Sequence, residues 1–266
     1  MAGLVARTPR RRPQFHDLSV VGTERLTERA VALTLDVPPQ LRAAFDFLPG
    51  QHLTLRARLG EEEVRRDYSL CLSRGRWRRT GRLRIAAARV DGGLMSAWLA
   101  TLAPGGTVAA LPPRGEMVLH PDPGASRHVV AVAGGSGVTP VLSILATLLD
   151  EEPGSRAGLV LVNRDRASIM FRHELAELES RYAARLDLVH VLTREPVDRD
   201  RAPGRLDDRS LAHLLDRVGP VVDVDDFYLC GPAGLVRSAR TVIEAAGVGA
   251  DRVHDEVFYE PAPLRS

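Results

Sequence analysis

The sequence predicts two domains: an N-terminal antiparallel β-barrel and a C-terminal α/β domain built on a doubly wound parallel sheet. Short alternating strands and turns fill the chain up to about residue 120. The stretch PDPGAS, residues 121–126, reads as a linker, and strands alternate with helices after it. The chain has 266 residues and a hydrophobic fraction of 44%, which suits one large domain or two of ordinary size with a substantial core.

The first half contains short segments in which apolar and polar residues alternate, as in half-buried strands. Turn signals such as Pro49-Gly50 and Asp91-Gly92 separate them. Regular spacing of this kind indicates a small barrel or sandwich. One helix is predicted from Met95 to Leu102, with a serine cap at Ser96 or just before it. The predicted strands are LSVVG, AVALTLDV, QHLTLRARL, YSLCLS and RLRIAAARV, at residues 18–22, 30–37, 51–59, 68–73 and 82–90.

In the second half, buried-strand segments alternate with helical ones, which is typical of a parallel sheet wrapped by helices. The helix predicted at 171–186 places Leu175, Leu178 and Tyr182 on one face. The predicted strands are HVVAVAG, GLVLVN, LDLVHVL and DFYLC, and the predicted helices are 141–149, 171–186, 210–218 and 236–246.

Charge and hydropathy exclude several classes of protein. The net charge of +2 argues against a nucleic-acid binder that acts through electrostatics. No apolar run reaches membrane-spanning length, and no apolar segment follows the N-terminal arginines as it would in a secretory signal. We therefore expect no nucleic-acid partner, no membrane association and a cytoplasmic location. Residues 1–13 are predicted to be a flexible Arg-rich tail.

The cysteine content excludes some metal centres. The chain has only Cys71 and Cys230, too few thiolates for an ordinary iron–sulfur cluster or a disulfide framework. Metal-ligand spacing is absent as well, so we expect no metal site. Two cysteines far apart in sequence suit a reducing compartment.

Three glycine-containing turns are candidates for binding phosphates. The most specific lies in VVAVAGGSGVTPVLSIL, where a buried strand runs through Gly134–Gly137 into a helix, with Pro140 tolerated in its first turn. Glycines allow close approach of a ligand, and the helix start offers free N–H groups to a phosphate. The others are DGGLMS at 91–96 and DFYLCGP at 226–232. The alternatives are a tight strand–helix turn without a ligand for the first, a plain hairpin turn for the second, and a small buried apolar role of Cys230 for the third.

The stretch RRDYSLCLS, residues 65–73, alternates like a strand but combines two arginines with a Tyr-Ser pair that packing alone would not require. With the turns above, it resembles the ferredoxin–NADP reductase family over residues 15–258. The resemblance rests on R-x-Y-S at 66–69, G-G-x-x-S at 92–96, G-x-G-x-T-P at 135–140 and C-G-P at 230–232. It implies an FAD-binding barrel at 14–122 and an NAD(P)-binding α/β domain at 127–262.

The resemblance also implies roles for individual residues. Arg66 would pair with the FAD pyrophosphate, Tyr68 would line the ribityl chain, and Ser69 would hydrogen-bond the flavin near N5. The residues implied in FAD binding are Arg66, Asp67, Tyr68, Ser69, Ile85, Ala86, Ala87, Gly92, Gly93, Leu94, Met95 and Ser96. Those implied in NAD(P) binding are Gly135, Ser136, Gly137, Val138, Thr139, Pro140, Asn163, Arg164, Arg172, Cys230, Gly231 and Pro232. The implied catalytic residues are Ser69, Cys230, Glu256 and Phe258.

The C-terminal HDEVF, residues 254–258, resembles the family's H-x-E-x-F ending. Phe258 would then cover the flavin face where the nicotinamide arrives, and Glu256 would lie near the reacting ring. A last strand with a core phenylalanine is the alternative. Arg164 and Arg172 favour NADPH through the 2′-phosphate, although Asp165 leaves NADH open because an acidic residue there can bind the ribose hydroxyls.

Within the family, the chain resembles the reductase component of phenylacetyl-CoA epoxidase and related ring-hydroxylating systems. The stretches that carry this resemblance are FHDLSV, FDFLPGQHLTLRA, the residues around VNRDR, HVLTRE and PGRL. Those reductases usually continue into a [2Fe–2S] ferredoxin domain, for which this chain has too few cysteines. We therefore predict an FAD-dependent NAD(P)H oxidoreductase without a cluster, which passes electrons to a separate ferredoxin or oxygenase component. The alternatives are a regulatory subunit with little turnover alone and a cofactor-free scaffold.

Overall fold

An antiparallel barrel fills the first half of the chain. The computed structural model describes residues 14–195 and 206–258, so the predicted tail at 1–13 lies outside the described residues. The elements are β1 (His16–Thr27), β2 (Ala30–Asp36), β3 (His52–Leu59), β4 (Glu62–Ser69), α1 (Arg74–Thr80), β5 (Arg82–Ala88), α2 (Leu94–Leu99) and β6 (Thr107–Ala110).

The strands of this half form one sheet in the order β4-β3-β6-β1-β2-β5. The sheet curls until its two outermost strands meet, where Leu70 forms an antiparallel bridge to Ile85. Residues that alternate along the strands, such as Leu33, Leu53 and Leu55, are fully buried inside. The predicted antiparallel β-barrel is confirmed.

A parallel sheet with helices on both faces fills the second half. Its elements are β7 (His128–Gly134), α3 (Val138–Glu151), β8 (Arg156–Asn163), α4 (Arg172–Arg181), β9 (Leu186–Leu192), α5 (Asp208–Val218), β10 (Asp226–Pro232), α6 (Ala233–Ala245) and β11 (Val253–Phe258). The strand order is β11-β10-β7-β8-β9.

The middle strand β7 shows why this sheet is doubly wound. Val129 and Ala131 pack in the cluster that holds α3 and α4, whereas Val130 and Val132 pack with α5 and α6 on the other face. A strand buried on both faces is apolar throughout, as HVVAVAG is. The strand order reverses between β7 and β10, which is the point where such sheets bind ligands. The predicted doubly wound α/β domain is confirmed.

Several element predictions need correction. The predicted strand YSLCLS ends at Ser69, because Leu70 makes only the closing bridge and Ser73 caps α1. The serine cap predicted for the helix at 95–102 is wrong: Gly93 occupies that position, and Ser96 lies inside α2. The helix predicted at 171–186 ends earlier, at Arg181, since Leu186 begins β9. Strand β6 and helix α1 were not predicted.

The two domains share a buried boundary. One apolar cluster contains Ala32, Cys71 and Ala86 of the barrel together with residues of α3 and α4. Arg84 of β5 crosses the boundary to Glu174 of α4, with Nη1 2.7 Å from Oε1. The predicted limits at 14–122 and 127–262 remain a prediction. In the described ranges, no helix is long and apolar enough to cross a membrane.

Candidate active site between the two domains

The end of β4 carries the Tyr-Ser pair. Successive side chains alternate, so Arg66 and Tyr68 share one face with the core residue Val64, while Asp67 and Ser69 share the other. Tyr68 is half-buried against the barrel core, and Ser69 is buried. Burial raises the pKa of the Tyr68 phenol to about 12, so this side chain remains a neutral hydrogen-bond donor at physiological pH.

The Arg66 guanidinium is exposed and available to an anion. Its Nη1 donates to the carbonyl of Arg65 at 2.7 Å, and within the described ranges no carboxylate pairs with it. A guanidinium that no carboxylate neutralises suits a bidentate contact with a phosphate. The open cleft beside it measures about 330 Å³ and is lined by Phe15, Thr54, Arg65, Arg66, Asp67, Leu111 and Arg114.

The turn before α2 leaves room for a ligand on one side. Gly92 has φ +73°, and an added Cβ there would meet nothing within 4 Å. Ser96 closes the turn from inside, because its Oγ accepts from the Val90 N–H at 3.1 Å and donates to the Gly93 carbonyl at 3.2 Å. The Ser96 hydroxyl therefore shapes the turn.

The other predicted FAD contacts on the barrel differ in how far their side chains can take part. Ile85, Ala87 and Met95 point into the barrel core, and Ala86 packs at the boundary between the domains. Leu94 is exposed. Any ligand contact by Ile85 to Ala87 would therefore use the backbone.

Tight packing explains two glycines at the switch point between β7 and β10. A Cβ on Gly137 would lie 2.2 Å from the carbonyl oxygen of Cys230. Gly231 has φ +141°, a conformation that side chains disfavour. Gly135 differs, because it has φ +54° and faces open space. Gly137 and Gly231 thus bring the two strand ends together, and Gly135 leaves the approach free.

The residues that follow this turn stabilise it. Thr139 donates its hydroxyl to the carbonyl of Ser136 at 2.8 Å and is buried. Val138 and Pro140 are also buried in the first turn of α3. These side chains set the shape of the turn, which lies against β5 of the barrel.

Cys230 and Glu256 are neighbours on the paired strands β10 and β11, and Pro232 pairs with Phe258. Cys230 is fully buried. Burial first, and the negative charge of Glu256 second, raise the pKa of the Cys230 thiol, so it is neutral. Phe258 is half-buried against the cluster shared by the domains, whereas Pro232 is exposed.

A cluster of titratable groups joins the domains beside these residues. His52 Nδ1 lies 3.9 Å from Glu256 Oε1, and His52 Nε2 lies 3.7 Å from Asp67 Oδ2. Thr54 donates its hydroxyl to Asp67 Oδ1 at 2.5 Å, and Arg114 Nη2 lies 3.4 Å from the same oxygen. The structure thus brings the predicted residues Asp67 and Glu256 together across the boundary.

Burial controls the protonation of this cluster. It lowers the pKa of His52, and the attraction of Asp67 opposes that shift only in part. Burial also raises the pKa of Glu256, and the charge of Asp67 raises it further. Sequence reasoning missed His52. The register of the hairpin formed by β3 and β4 could have identified it, because that register pairs His52 directly with the predicted site residue Ser69.

The predicted ribose-phosphate corner lies at the end of β8. Asn163 is buried there, and its Nδ2 has no hydrogen-bond partner among the described residues. The Asp165 carboxylate accepts from the Ser168 N–H at 2.9 Å in a reciprocal capping box. Asp165 is therefore already engaged in a local turn.

Two arginines at this corner remain exposed. Arg172 begins α4, and Arg164 follows β8 directly. Arg29 lowers the pKa of Asp91 in the 91–96 turn, and Arg89 and Arg164 add smaller effects in the same direction. Positive charge from both domains thus borders this part of the boundary.

These features fit two phosphate-bearing cofactors. Among the described residues, no carboxylate pairs with Arg66 and no partner satisfies the buried Asn163 amide, while Gly92 and Gly135 leave open space at turns. A buried donor without a partner is costly unless a ligand or water satisfies it. The residues present therefore fit FAD on the barrel side and a nicotinamide dinucleotide on the sheet side.

Comparison with known proteins identifies the two kinds of domain. The family model for the oxidoreductase FAD-binding domain matches residues 17–119, and the oxidoreductase NAD-binding domain matches residues 131–241. The FAD/NAD-binding domain of nitric oxide dioxygenase from Vibrio cholerae superposes with a TM-score of 0.76 at 25% identity, over 93% of this chain and 99% of that one.

Two curated relatives cover most of the chain. One subunit of the 1,2-phenylacetyl-CoA epoxidase of Escherichia coli is 36% identical over 93% of this chain and 68% of the relative. The ferredoxin reductase component of 3-ketosteroid-9-alpha-monooxygenase from Rhodococcus rhodochrous is 32% identical over 91% of this chain and 64% of the relative. The chain thus spans about two thirds of these relatives. It belongs to the ferredoxin reductase-like family of FAD- and NAD-binding oxidoreductases.

Proposed function

We propose that the protein takes a hydride from NADPH onto bound FAD and passes the electrons to a separate protein, a ferredoxin or an oxygenase component. One observation carries the proposal: Glu256 of the C-terminal sheet lies 3.9 Å from His52, the direct strand partner of Ser69. The residues proposed to hold flavin and nicotinamide are therefore neighbours. The names of the two relatives, a component of an epoxidase and a reductase component of a monooxygenase, support a protein acceptor.

The barrel residues hold and orient the flavin in this proposal. When bound, FAD supplies an atom that accepts a hydride and can release electrons singly or in pairs. The exposed Arg66 guanidinium pairs with the pyrophosphate, which Gly92 and Gly93 approach through their backbone. Tyr68 lines the ribityl chain, and the buried Ser69 hydroxyl hydrogen-bonds near N5.

The sheet residues orient the nicotinamide. Gly135 would allow the dinucleotide to approach the turn, and the Asn163 amide would offer a donor that no described residue uses. The neutral Cys230 thiol contributes a small, uncharged contact beside the reacting carbon. Phe258 would cover the flavin face where the nicotinamide arrives. Glu256 remains protonated to a higher pH than an exposed carboxyl, so it can hold a proton next to the ring.

NADPH is the proposed donor because of how the corner after β8 is built. An acidic residue there favours NADH only when its carboxylate is free to bind the ribose hydroxyls. The Asp165 carboxylate instead accepts a hydrogen bond from the Ser168 N–H at 2.9 Å within its own turn. Arg164 and Arg172 are exposed and positively charged. These two arginines suit a 2′-phosphate.

The same proposal holds that this chain carries no iron–sulfur cluster and acts in the cytoplasm. Its two cysteines are both buried, and one thiol pair cannot provide the four ligands of such a cluster.

A steady-state comparison tests the donor and the acceptor. FAD-loaded protein is assayed with NADPH or NADH, using ferricyanide and then a plant-type [2Fe–2S] ferredoxin as acceptor. We expect kcat/KM to be higher for NADPH by about tenfold or more, and Arg164→Ala to remove most of that preference. Equal kcat/KM for the two donors would contradict the NADPH assignment. Absence of turnover with every acceptor despite bound FAD would favour the regulatory subunit.

A further inference from the structure

Helix α3 buries two hydroxyl side chains on the face that it presents to the barrel. Ser143 and Thr147 are one helical turn apart, and both are fully buried. Their neighbours along the helix, including Ile144, Leu145 and Leu148, are apolar core residues. Hydroxyls in such surroundings are destabilising unless each one finds a partner.

Both hydroxyls find that partner in the other domain. Ser143 donates its Oγ–H to the carbonyl of Leu72 at 2.8 Å, and Thr147 Oγ1 accepts from the backbone N–H of Arg74 at 3.0 Å. Between these two contacts, Ser73 caps α1 by accepting from the Arg76 N–H at 3.3 Å. The backbone at residues 72–74 is therefore fixed on both sides.

These two hydrogen bonds connect the segments that lead to the two halves of the proposed reaction site. Residues 72–74 follow Ser69 at the end of β4 after only a few residues. At the other end, α3 begins at Val138, directly after the turn Gly135–Gly137. A helix is stiff along its axis, so a shift at Thr147 moves the turn by a similar distance.

We propose that Ser143 and Thr147 are positioning residues that set the register of the dinucleotide turn against the flavin strand. The inference rests on the proposed function, because it concerns the distance between nicotinamide and flavin. Neither side chain reaches the reacting atoms. They act through the backbone of residues 72–74, and apolar contacts at the boundary, which have no direction, cannot replace them.

The test compares Thr147→Val, which keeps the shape of the side chain but removes the acceptor, with Thr147→Ser, which keeps an acceptor. Ser155→Ala serves as the matched control. Ser155 is equally buried, but its hydroxyl accepts from the Arg127 N–H and donates to Glu152, without touching the barrel. Each variant is measured by amide hydrogen exchange without cofactors, by FAD affinity, and by the rate of flavin reduction on rapid mixing with NADPH.

In Thr147→Val we expect the Arg74 amide to exchange about five- to tenfold faster, since it loses its acceptor. Flavin reduction should be slower by about 10- to 100-fold, the effect of a small misplacement of reactants, with unchanged FAD affinity. In Thr147→Ser, the Arg74 exchange rate and the rate of flavin reduction should both stay close to those of the wild type. Ser155→Ala should change neither rate, even if it melts at the same temperature as Thr147→Val.

Two results would overturn the inference, and they are distinguishable. If wild-type protein is reduced by NADPH and Thr147→Val reacts as fast as Ser155→Ala, the positioning role is wrong and the proposed function stands. If FAD-loaded wild-type protein is not reduced by NADPH or NADH, the proposed function fails and the positioning role fails with it.

Discussion

Replacing Arg84 by methionine should destabilise the protein far more than the same change at Arg82. Both arginines lie on β5, two residues apart. The Arg84 side chain is 8% exposed and contacts Glu174 at 2.7 Å and Glu24 at 2.5 Å. The Arg82 side chain is 55% exposed, and its nearest carboxylate oxygen, on Asp36, is 3.5 Å away. The two positions therefore separate a buried ion pair from a solvated one.

The structure sets the expected magnitudes. Without Arg84, the Glu174 carboxylate loses its partner while its side chain is only 25% exposed. The Glu24 side chain is 56% exposed, so its carboxylate can be hydrated instead. We therefore expect a loss of about 2–3 kcal/mol, at or just below the lower limit for breaking a buried pair, because one of the two carboxylates is solvated. For Arg82→Met, whose charge is already solvated, we expect less than about 0.5 kcal/mol.

Urea unfolding, followed by circular dichroism and by tryptophan fluorescence, measures both variants. The loss at Arg84 corresponds to a melting temperature lower by about 5–10 °C for a protein of this size. Because Arg84 joins the barrel to α4, we also expect the two probes to separate in Arg84→Met while they coincide in Arg82→Met. Equal stability of the two variants would refute the view that this ion pair holds the domains together.

Three further predictions concern the site. Arg66→Ala should weaken FAD binding by about tenfold or more through loss of a charge-assisted contact, whereas Arg58→Ala should not; equal affinities by fluorescence titration would contradict the phosphate role. Asp67→Asn should lower the pKa of Glu256, because it removes a repelling negative charge. Protonated Glu256 stabilises the fold at low pH, and this stability is lost as the pH rises through the folded-state pKa, so in the variant the loss should occur at a lower pH. An unchanged NMR titration midpoint for Glu256 would show that burial alone sets this pKa. Gly137→Ala should destabilise the protein by about 2 kcal/mol or more, since its Cβ would lie 2.2 Å from a β10 carbonyl oxygen, and wild-type stability would show that the strand ends can separate.

Local patterns in the sequence were enough to predict most of the fold. The apolar run HVVAVAG marks a strand buried on both faces, and Gly134 to Pro140 mark the turn into α3. Helix α1 was missed because its sequence, RGRWRRT, is polar and lacks an apolar stripe. The sequence nonetheless contains signals for both ends of this helix. Ser73 is a favourable N-cap residue, and Gly81 is suited to the left-handed conformation (φ +63°) that it adopts at the C-terminal cap.

Contacts between distant segments could not be predicted in this way. Nothing near Arg84 in the sequence indicates Glu174, which lies 90 residues away. The closeness of His52 to Glu256 depends on how the barrel sits against the sheet. The hydrogen-bond partner of Asp165 could not be predicted either. An acidic residue at this position suggests a contact with the ribose hydroxyls, but in the structure the Asp165 carboxylate is used in a local capping box. Residue type identified the candidates, and tertiary structure decided which of them remain available.

The visible spectrum of the purified protein, recorded before and after anaerobic addition of NADPH, tests the central claim most directly. We predict a flavin spectrum that bleaches when NADPH is added, because residues of the flavin strand and of the nucleotide sheet meet at one boundary. A flavin spectrum that neither NADPH nor NADH bleaches would contradict hydride transfer and leave a regulatory role. A colourless protein that also fails to bind added FAD would contradict the flavin site itself.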